Sequence, residues 1–228
     1  MILVFGSINV DVAARVDALP RAGETIAGHG VLMSPGGKGA NQALAARRAG
    51  AGVTLAGATG RDAFAAPALA LLRAEGVDLA LVATVDAPTG VALIHVDARG
   101  ENAITVVAGA NALARASQVP DAALRRCNLL VMQLETPAAE SLALARRARA
   151  LGKPVMLNAA PALPLDASWG EVLDVLMVNE HEAASLAPAF GAPPEPRAFA
   201  QAVARDHGIT VVVTLGAAGA FAVARGEA

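Results

Sequence analysis

The chain has 228 residues, with 18 lysines and arginines against 20 aspartates and glutamates, and its formal net charge of −2 without a basic cluster argues against nucleic acid as the main partner. Hydrophobic residues make up 55%, yet much of that is alanine, and with no uncharged apolar stretch of about 18 residues no membrane-spanning segment is expected. One cysteine, Cys127, excludes an internal disulfide framework and suits a reducing, cytoplasmic setting.

Strand-like and helix-like runs alternate nearly to the end, which predicts an α/β fold with a mainly parallel sheet flanked by helices. Strands are expected at 1–6, 51–58, 128–133, 154–158, 175–178 and 209–214, mostly as continuous apolar runs suited to burial on both faces. The first of them carries neither a basic leader nor a cleavage site. Helices are expected at 38–49, 62–75, 136–151, 180–186 and 196–207. Gly50, Gly76, Gly152 and Gly208 follow helical runs as stop signals, and Thr136-Pro137 reads as an N-cap before a first-turn proline. Two pairs of segments break the alternation: 10–19 with 24–33, and 90–97 with 102–107. Strands without intervening helices fit poorly in a doubly wound sheet. A separate small β-sheet is therefore expected as a lid over the ligand crevice, built from about 10–33 and 90–107 of a single 1–228 domain.

The stretch Ser34-Pro35-Gly36-Gly37-Lys38-Gly39-Ala40-Asn41-Gln42 crowds backbone amides at a helix start. Glycines there let a hydroxylated ligand approach the main chain, and Lys38 and Asn41 add side-chain donors; an ordinary strand-to-helix turn is the alternative. A P-loop is excluded, because Leu32 and Gly39 stand where that motif needs glycine and serine or threonine. Asn9 and Asp11 leave the carboxyl end of the first strand, where ligands of open α/β sheets bind, or else form an Asx-type turn. Glu135 ends an apolar strand just before a helix, placed to accept from sugar hydroxyls or to complement a helix dipole. Asn179 either caps the helix that follows it or faces a nucleotide phosphate, and Glu182 is suited to help hold hydrated Mg²⁺. A zinc motif built on His181 and Glu182 is rejected, since Ser185 occupies the second histidine position. In Thr214-Leu215-Gly216-Ala217-Ala218-Gly219 the backbone can approach a phosphate or ribose, with a plain hairpin as the alternative.

In unbroken order from Ile2 to about Ala222, these pieces resemble the PfkB-type carbohydrate kinases, the family of ribokinase. The resemblance is carried by residues 6–11, 20–25, 36–42, 89–94, 100–102, 109–111, 132–135, 158 with 160–162, 179–182 and 214–219. Gly-Gly-Lys-Gly-Ala-Asn-Gln at 36–42 and Met-Gln-Leu-Glu at 132–135 look more like ribokinases than like fructose or nucleoside kinases. The resemblance implies a ribokinase-like fold in which Asn9, Val10, Asp11, Gly37, Lys38, Gly39, Ala40, Asn41 and Glu135 hold the sugar. It implies ATP contacts from Asn179, Thr214, Leu215, Gly216, Ala217, Ala218 and Gly219, and a water-mediated role for Glu182 on Mg²⁺. The implied reaction moves the γ-phosphoryl group of ATP to O5 of D-ribose, giving ribose 5-phosphate, beneath a lid that excludes water and through which members commonly form homodimers.

The same resemblance implies a catalytic aspartate in a Gly-Ala-Gly-Asp segment downstream of 214–219, and a K⁺ site. The 228 residues hold no such segment, so the resemblance places the family's base beyond Ala228. Asp62 in Gly60-Arg61-Asp62 belongs to a different position of the family pattern. A C-terminally incomplete unit is expected, with a sugar site, part of an ATP site, no catalytic base of its own and no K⁺ site. Two further readings stay open: a non-catalytic, sugar-binding pseudokinase, or a family kinase for deoxyribose, fructose or a nucleoside. An aromatic content of 3% without tyrosine disfavours the nucleoside.

Overall fold

Alternation along the first strand sets the layers. In the computed structural model, which describes residues 1–226, Leu3 and Phe5 of β1 (Ile2–Phe5) enter one apolar core while Val4 enters another on the opposite face of the sheet. Burying each such side chain contributes about 1.5–3 kcal/mol. Glu227 and Ala228, the last two residues of the expected 1–228 unit, lie outside the described residues, and so does the catalytic aspartate expected beyond Ala228.

The chain continues through β2 (Asn9–Val16), β3 (Gly28–Gly36), α1 (Lys38–Arg48), β4 (Val53–Thr59), α2 (Ala65–Ala74), β5 (Asp78–Thr84), β6 (Gly90–Val96) and β7 (Asn102–Val107). After α3 (Asp121–Arg126) come β8 (Leu129–Met132), α4 (Ala138–Ala150), β9 (Val155–Asn158), β10 (Val175–Asn179), α5 (Glu180–Leu186), α6 (Pro196–His207), β11 (Thr210–Thr214) and β12 (Ala220–Val223). The main sheet is ordered β12-β11-β10-β9-β8-β1-β4-β5, parallel except for the β11–β12 pair. Ala43 of α1 and Leu69 and Leu72 of α2 pack on one face; Leu144 of α4, Leu186 of α5 and Phe199 of α6 belong to the core of the other. No helix among the described residues is long and apolar enough to cross a membrane.

The lid is a separate four-stranded sheet ordered β3-β2-β6-β7. β2 and β6 run parallel, so the two lid segments, far apart in sequence, interlock at its centre. β3 runs on to Gly36, past the expected limit of the lid, so that the glycine turn forms the joint between lid and body.

Several boundaries differ from expectation for identifiable reasons. Thr136 does not cap α4: Pro137 takes the N-cap position, and the Thr136 hydroxyl is spent on Ser141 Oγ at 3.2 Å. α2 begins at Ala65 rather than 62, because the Asp62 carboxylate accepts from Phe64 N–H and Ala65 N–H and thus precedes the helix. β5, absent from the expected strands, is an edge strand paired, among the described residues, only with β4, and its residues are less buried and less apolar than a central strand requires. α5 and α6 match their expected ranges, α5 through a reciprocal capping box between Asn179 and Glu182, α6 through Glu195 at its N-cap followed by Pro196.

Candidate functional site

Strand alternation also builds the site. Asn9 and Asp11, two apart on β2, line a hollow of about 660 Å³ between body and lid, while Val10 between them turns into the core with Ile8, Ala40 and Leu69. Gly37, Lys38 and Asn41 at the start of α1 and Glu135 after β8 line the same hollow. Ala92 and Ile94 of β6 and Ile104 and Val106 of β7 face it from the lid. Register explains the lid wall: Asp11 pairs with Ala92, which pairs with Val106, and Ala13 pairs with Ile94, which pairs with Ile104.

Of the residues the resemblance assigns to the sugar, Val10, Gly39 and Ala40 are not in the lining. Gly39 packs on the end of β1, where an added Cβ would stand 2.5 Å from the Gly6 carbonyl carbon, and Ala40 donates its N–H to Ser7 O at 2.9 Å. At these two small residues the chain packs closely against the end of β1. Gly37 both lines the hollow and packs closely: its φ of 92° admits glycine almost alone, and a Cβ there would meet Ser7 O at 2.8 Å.

Glu135 organises the floor. Its Oε2 accepts from the Ser7 hydroxyl at 2.5 Å and from Lys38 N–H at 3.0 Å, and its Oε1 lies 3.7 Å from Lys38 Nζ. Ser7 Oγ in turn accepts from Gly39 N–H at 3.2 Å. α1 has no side-chain cap of its own and no acidic residue in its first turn, so Glu135 supplies the missing acceptor from the bend after β8. The helix that Glu135 complements is thus α1, not the one following it in sequence. Holding the Lys38 amide also fixes where the Lys38 ammonium enters the hollow.

Asp11 and Asn41 differ in kind from Glu135. Among the described residues neither has a protein hydrogen-bond partner for its side chain, so their polar atoms are free for a ligand. Burial pushes the Asp11 carboxyl above the usual carboxylate range, the charge of Glu135 adds to this, and Lys38 partly opposes it.

Asn111 completes the site and was not among the expected site residues. It is buried; its Nδ2 donates to Asn9 Oδ1 at 2.7 Å and to Ile8 O at 3.3 Å, and its Oδ1 accepts from Ile8 N–H at 2.8 Å. With its oxygen engaged, Asn9 offers its amide NH₂ to the hollow. Gly90 lies against this pair so closely that a Cβ would stand 2.2 Å from Asn9 Oδ1. In the sequence Asn111 stands out as a lone amide in an otherwise apolar run, 106–114, and belongs to the resemblance at 109–111, which gives it no role of its own.

The expected nucleotide residues stand elsewhere on the same edge of the sheet. Asn179 ends β10 and is registered with Thr214 at the end of β11, and Leu215 to Gly219 form a turn closed by Leu215 N–H to Gly219 O at 2.8 Å. With strands about 4.8 Å apart, β10 and β11 lie roughly 10 and 14 Å from β8, on the side away from β1. Asn179 Oδ1 and Glu182 Oε2 each accept the other's backbone N–H at 2.8 Å, so both side chains cap α5. Glu182 keeps one carboxylate oxygen unengaged, which fits a hydrated Mg²⁺ met through water; no group of three or more His, Cys, Asp or Glu among the described residues is placed to hold a metal directly.

The description pfkB family carbohydrate kinase matches residues 1–228 in full. The chain belongs to that family. This pfkB-family chain is 36% identical to the ribokinase of Haemophilus influenzae over 98% of its own length and 74% of the relative's. It is 33% identical to the deoxyribokinase of Salmonella typhi, covering 99% of the chain and 76% of that protein. Its fold superposes on the ribokinase of Arabidopsis thaliana solved with ribose and ATP, with a TM-score of 0.87, 30% identity, and coverage of 100% of this chain and 75% of that one. The α/β architecture with a separate small sheet is therefore the ribokinase fold, and the chain is of the carbohydrate phosphotransferase class.

Proposed function

We propose that this pfkB-family chain binds D-ribose in the hollow between body and lid and serves phosphoryl transfer from ATP to the O5 hydroxyl, yielding ribose 5-phosphate. The observation that carries the reading is the convergence of Asn9, Asp11, Lys38, Asn41 and Glu135, drawn from β2, α1 and the bend after β8, on one hollow of about 660 Å³. Unpaired Asp11 suits acceptance from sugar hydroxyls; the amides of Asn9 and Asn41 and the Lys38 ammonium suit donation to sugar oxygens. Two carboxylates, Asp11 and Glu135, disfavour an anionic guest, and a lining without aromatic side chains among the described residues disfavours a stacked base. The apolar lid wall, closing over a bound sugar, excludes water so that ATP is not spent on hydrolysis.

On this reading ATP lies along the β10–β11 edge, against Asn179 and the turn 214–219, and enters the crevice from the side of β9. Glu182 would hold a hydrated Mg²⁺ through water, whose charge offsets that of the migrating phosphoryl group. The general base for the O5 proton would come from beyond Ala228, as the family resemblance implies. The lid's open edges and its exposed Val31 and Leu32, at 70% and 65%, support homodimer formation through this sheet.

Calorimetric titration with a sugar panel tests the acceptor. D-ribose is expected to bind tightest, with 2-deoxyribose weaker by roughly 10-fold or more, since a lost hydroxyl leaves a site group unpaired at a cost of about 1–3 kcal/mol. Tighter binding of 2-deoxyribose would instead assign the deoxyribokinase activity of the Salmonella relative, and heat on titration with a nucleoside alone would remove the sugar assignment.

A further inference from the structure

Asp62 lies outside the hollow, in the connection from β4 to α2, yet its carboxylate takes hydrogen bonds from four donors. Two come from the start of α2, Phe64 N–H at 3.0 Å and Ala65 N–H at 3.1 Å. The other two come from Thr89, whose backbone N–H lies at 2.6 Å and hydroxyl at 2.8 Å. Thr89 Oγ1 also accepts from Gly60 N–H at 3.0 Å, and Thr89 is 1% exposed. Thr89 immediately precedes Gly90, the first residue of lid strand β6. From the other side, Pro88 O accepts from Ala110 N–H at 2.7 Å, and Gly90 abuts Asn9 and Asn111.

The root of the central lid strand is therefore clamped between a body carboxylate and the amide pair that aims Asn9. We infer that Asp62, acting through Thr89, is a positioning residue for sugar binding. It fixes where β6 leaves the body, and β6 in turn carries Ala92 against Asp11 and leaves room for the Asn9–Asn111 pair. The inference rests on the ribose reading for its effect on affinity, but the anchor itself does not need a sugar to be detected. A plain helix-cap role for Asp62 accounts for the contacts to Phe64 and Ala65 and leaves those to Thr89 without purpose.

Thr89→Val separates the two roles, because it removes the hydroxyl bonds to Asp62 and Gly60 and leaves both α2 contacts intact. The expected result is ribose affinity lowered about 5- to 10-fold in Thr89→Val and about 10- to 100-fold in Asp62→Asn, with Thr89→Ser restoring it. Amide hydrogen exchange without sugar is expected to quicken across Gly90–Val96 and Asn102–Val107 in both variants while β10 and β11 stay as protected as before. Unchanged lid exchange in a folded Thr89→Val, or faster exchange in Asp62→Asn confined to α2, would overturn the inference. If the unaltered protein bound no ribose, the proposed function would fail, and the exchange comparison would still decide for or against the anchor.

Discussion

Replacing Asp11 with asparagine is expected to move binding and stability in opposite directions. Ribose affinity should fall roughly 10²-fold at neutral pH, since each hydrogen bond to a charged group is worth about 1.5–3 kcal/mol and the amide keeps only one acceptor oxygen. Stability should not fall with it. Burial, reinforced by the Glu135 charge and partly offset by Lys38, raises the Asp11 carboxyl, so the folded protein holds that proton to higher pH than the unfolded chain does. A raised folded-state value contributes stability that is present below the ordinary carboxylate range and lost as pH rises through the raised value. At neutral pH the ionised Asp11 is thus a burden on the sugar-free fold, and asparagine removes it. Thermal unfolding of Asp11→Asn at neutral pH should show a midpoint equal to or above that of the unaltered protein. The same sign predicts that ribose affinity of the unaltered protein weakens on acidification sooner than an exposed aspartate would allow. A variant that loses stability and affinity together would mean that Asp11 is a structural carboxylate.

The second large effect concerns turnover. A polypeptide that stops at Ala228 is expected to bind ribose yet release ADP at least about 10²- to 10⁴-fold more slowly than a sugar kinase whose general base is in place. Glu135 already holds the Ser7 hydroxyl, the Lys38 amide and the Lys38 ammonium, and Asp11 is assigned to the sugar's hydroxyls. On the nucleotide side, Glu182 has one oxygen on the Asn179 amide. Among the described residues that leaves no unassigned carboxylate in the lining of the hollow to take the O5 proton. A coupled ADP-release assay with ribose and Mg-ATP checks this. Turnover within the ordinary range of about 1–10³ s⁻¹ would show that one of these carboxylates also serves as the base.

What could be read from the sequence follows the range of the interactions. α5 and α6 were legible to the residue because their signals are local: a capping box within four residues, a proline at the first turn, a glycine at the stop. Asn9 and Asp11 were legible from their place just beyond the first strand's carboxyl end, but that both lie two apart on β2, with Val10 between them turned into the core, was not. Glu135 lies in the bend three residues past β8 rather than at the strand's end, and the helix it complements, α1, begins 97 residues away in sequence, at Lys38. Asn111 and Ser7 went unassigned for the same reason, since their partners lie 103 and 128 residues away. In the glycine turn the sequence leaves ligand approach and close chain packing equally open, and the structure shows the packing: at Gly37 and Gly39 an added Cβ would meet the end of β1 and the residues after it. β5 was missed because an edge strand need not be apolar on both faces.

Amide hydrogen exchange of the 228-residue protein with and without D-ribose, in the absence of nucleotide, addresses the convergence most directly. Added protection is predicted together in residues 9–11, 37–41 and 134–136 and in lid strands β6 and β7, with β11 and β12 unchanged. Protection confined to one of these segments, or appearing at β11 and β12 while the hollow stays as it was, would contradict a single sugar site shared by body and lid.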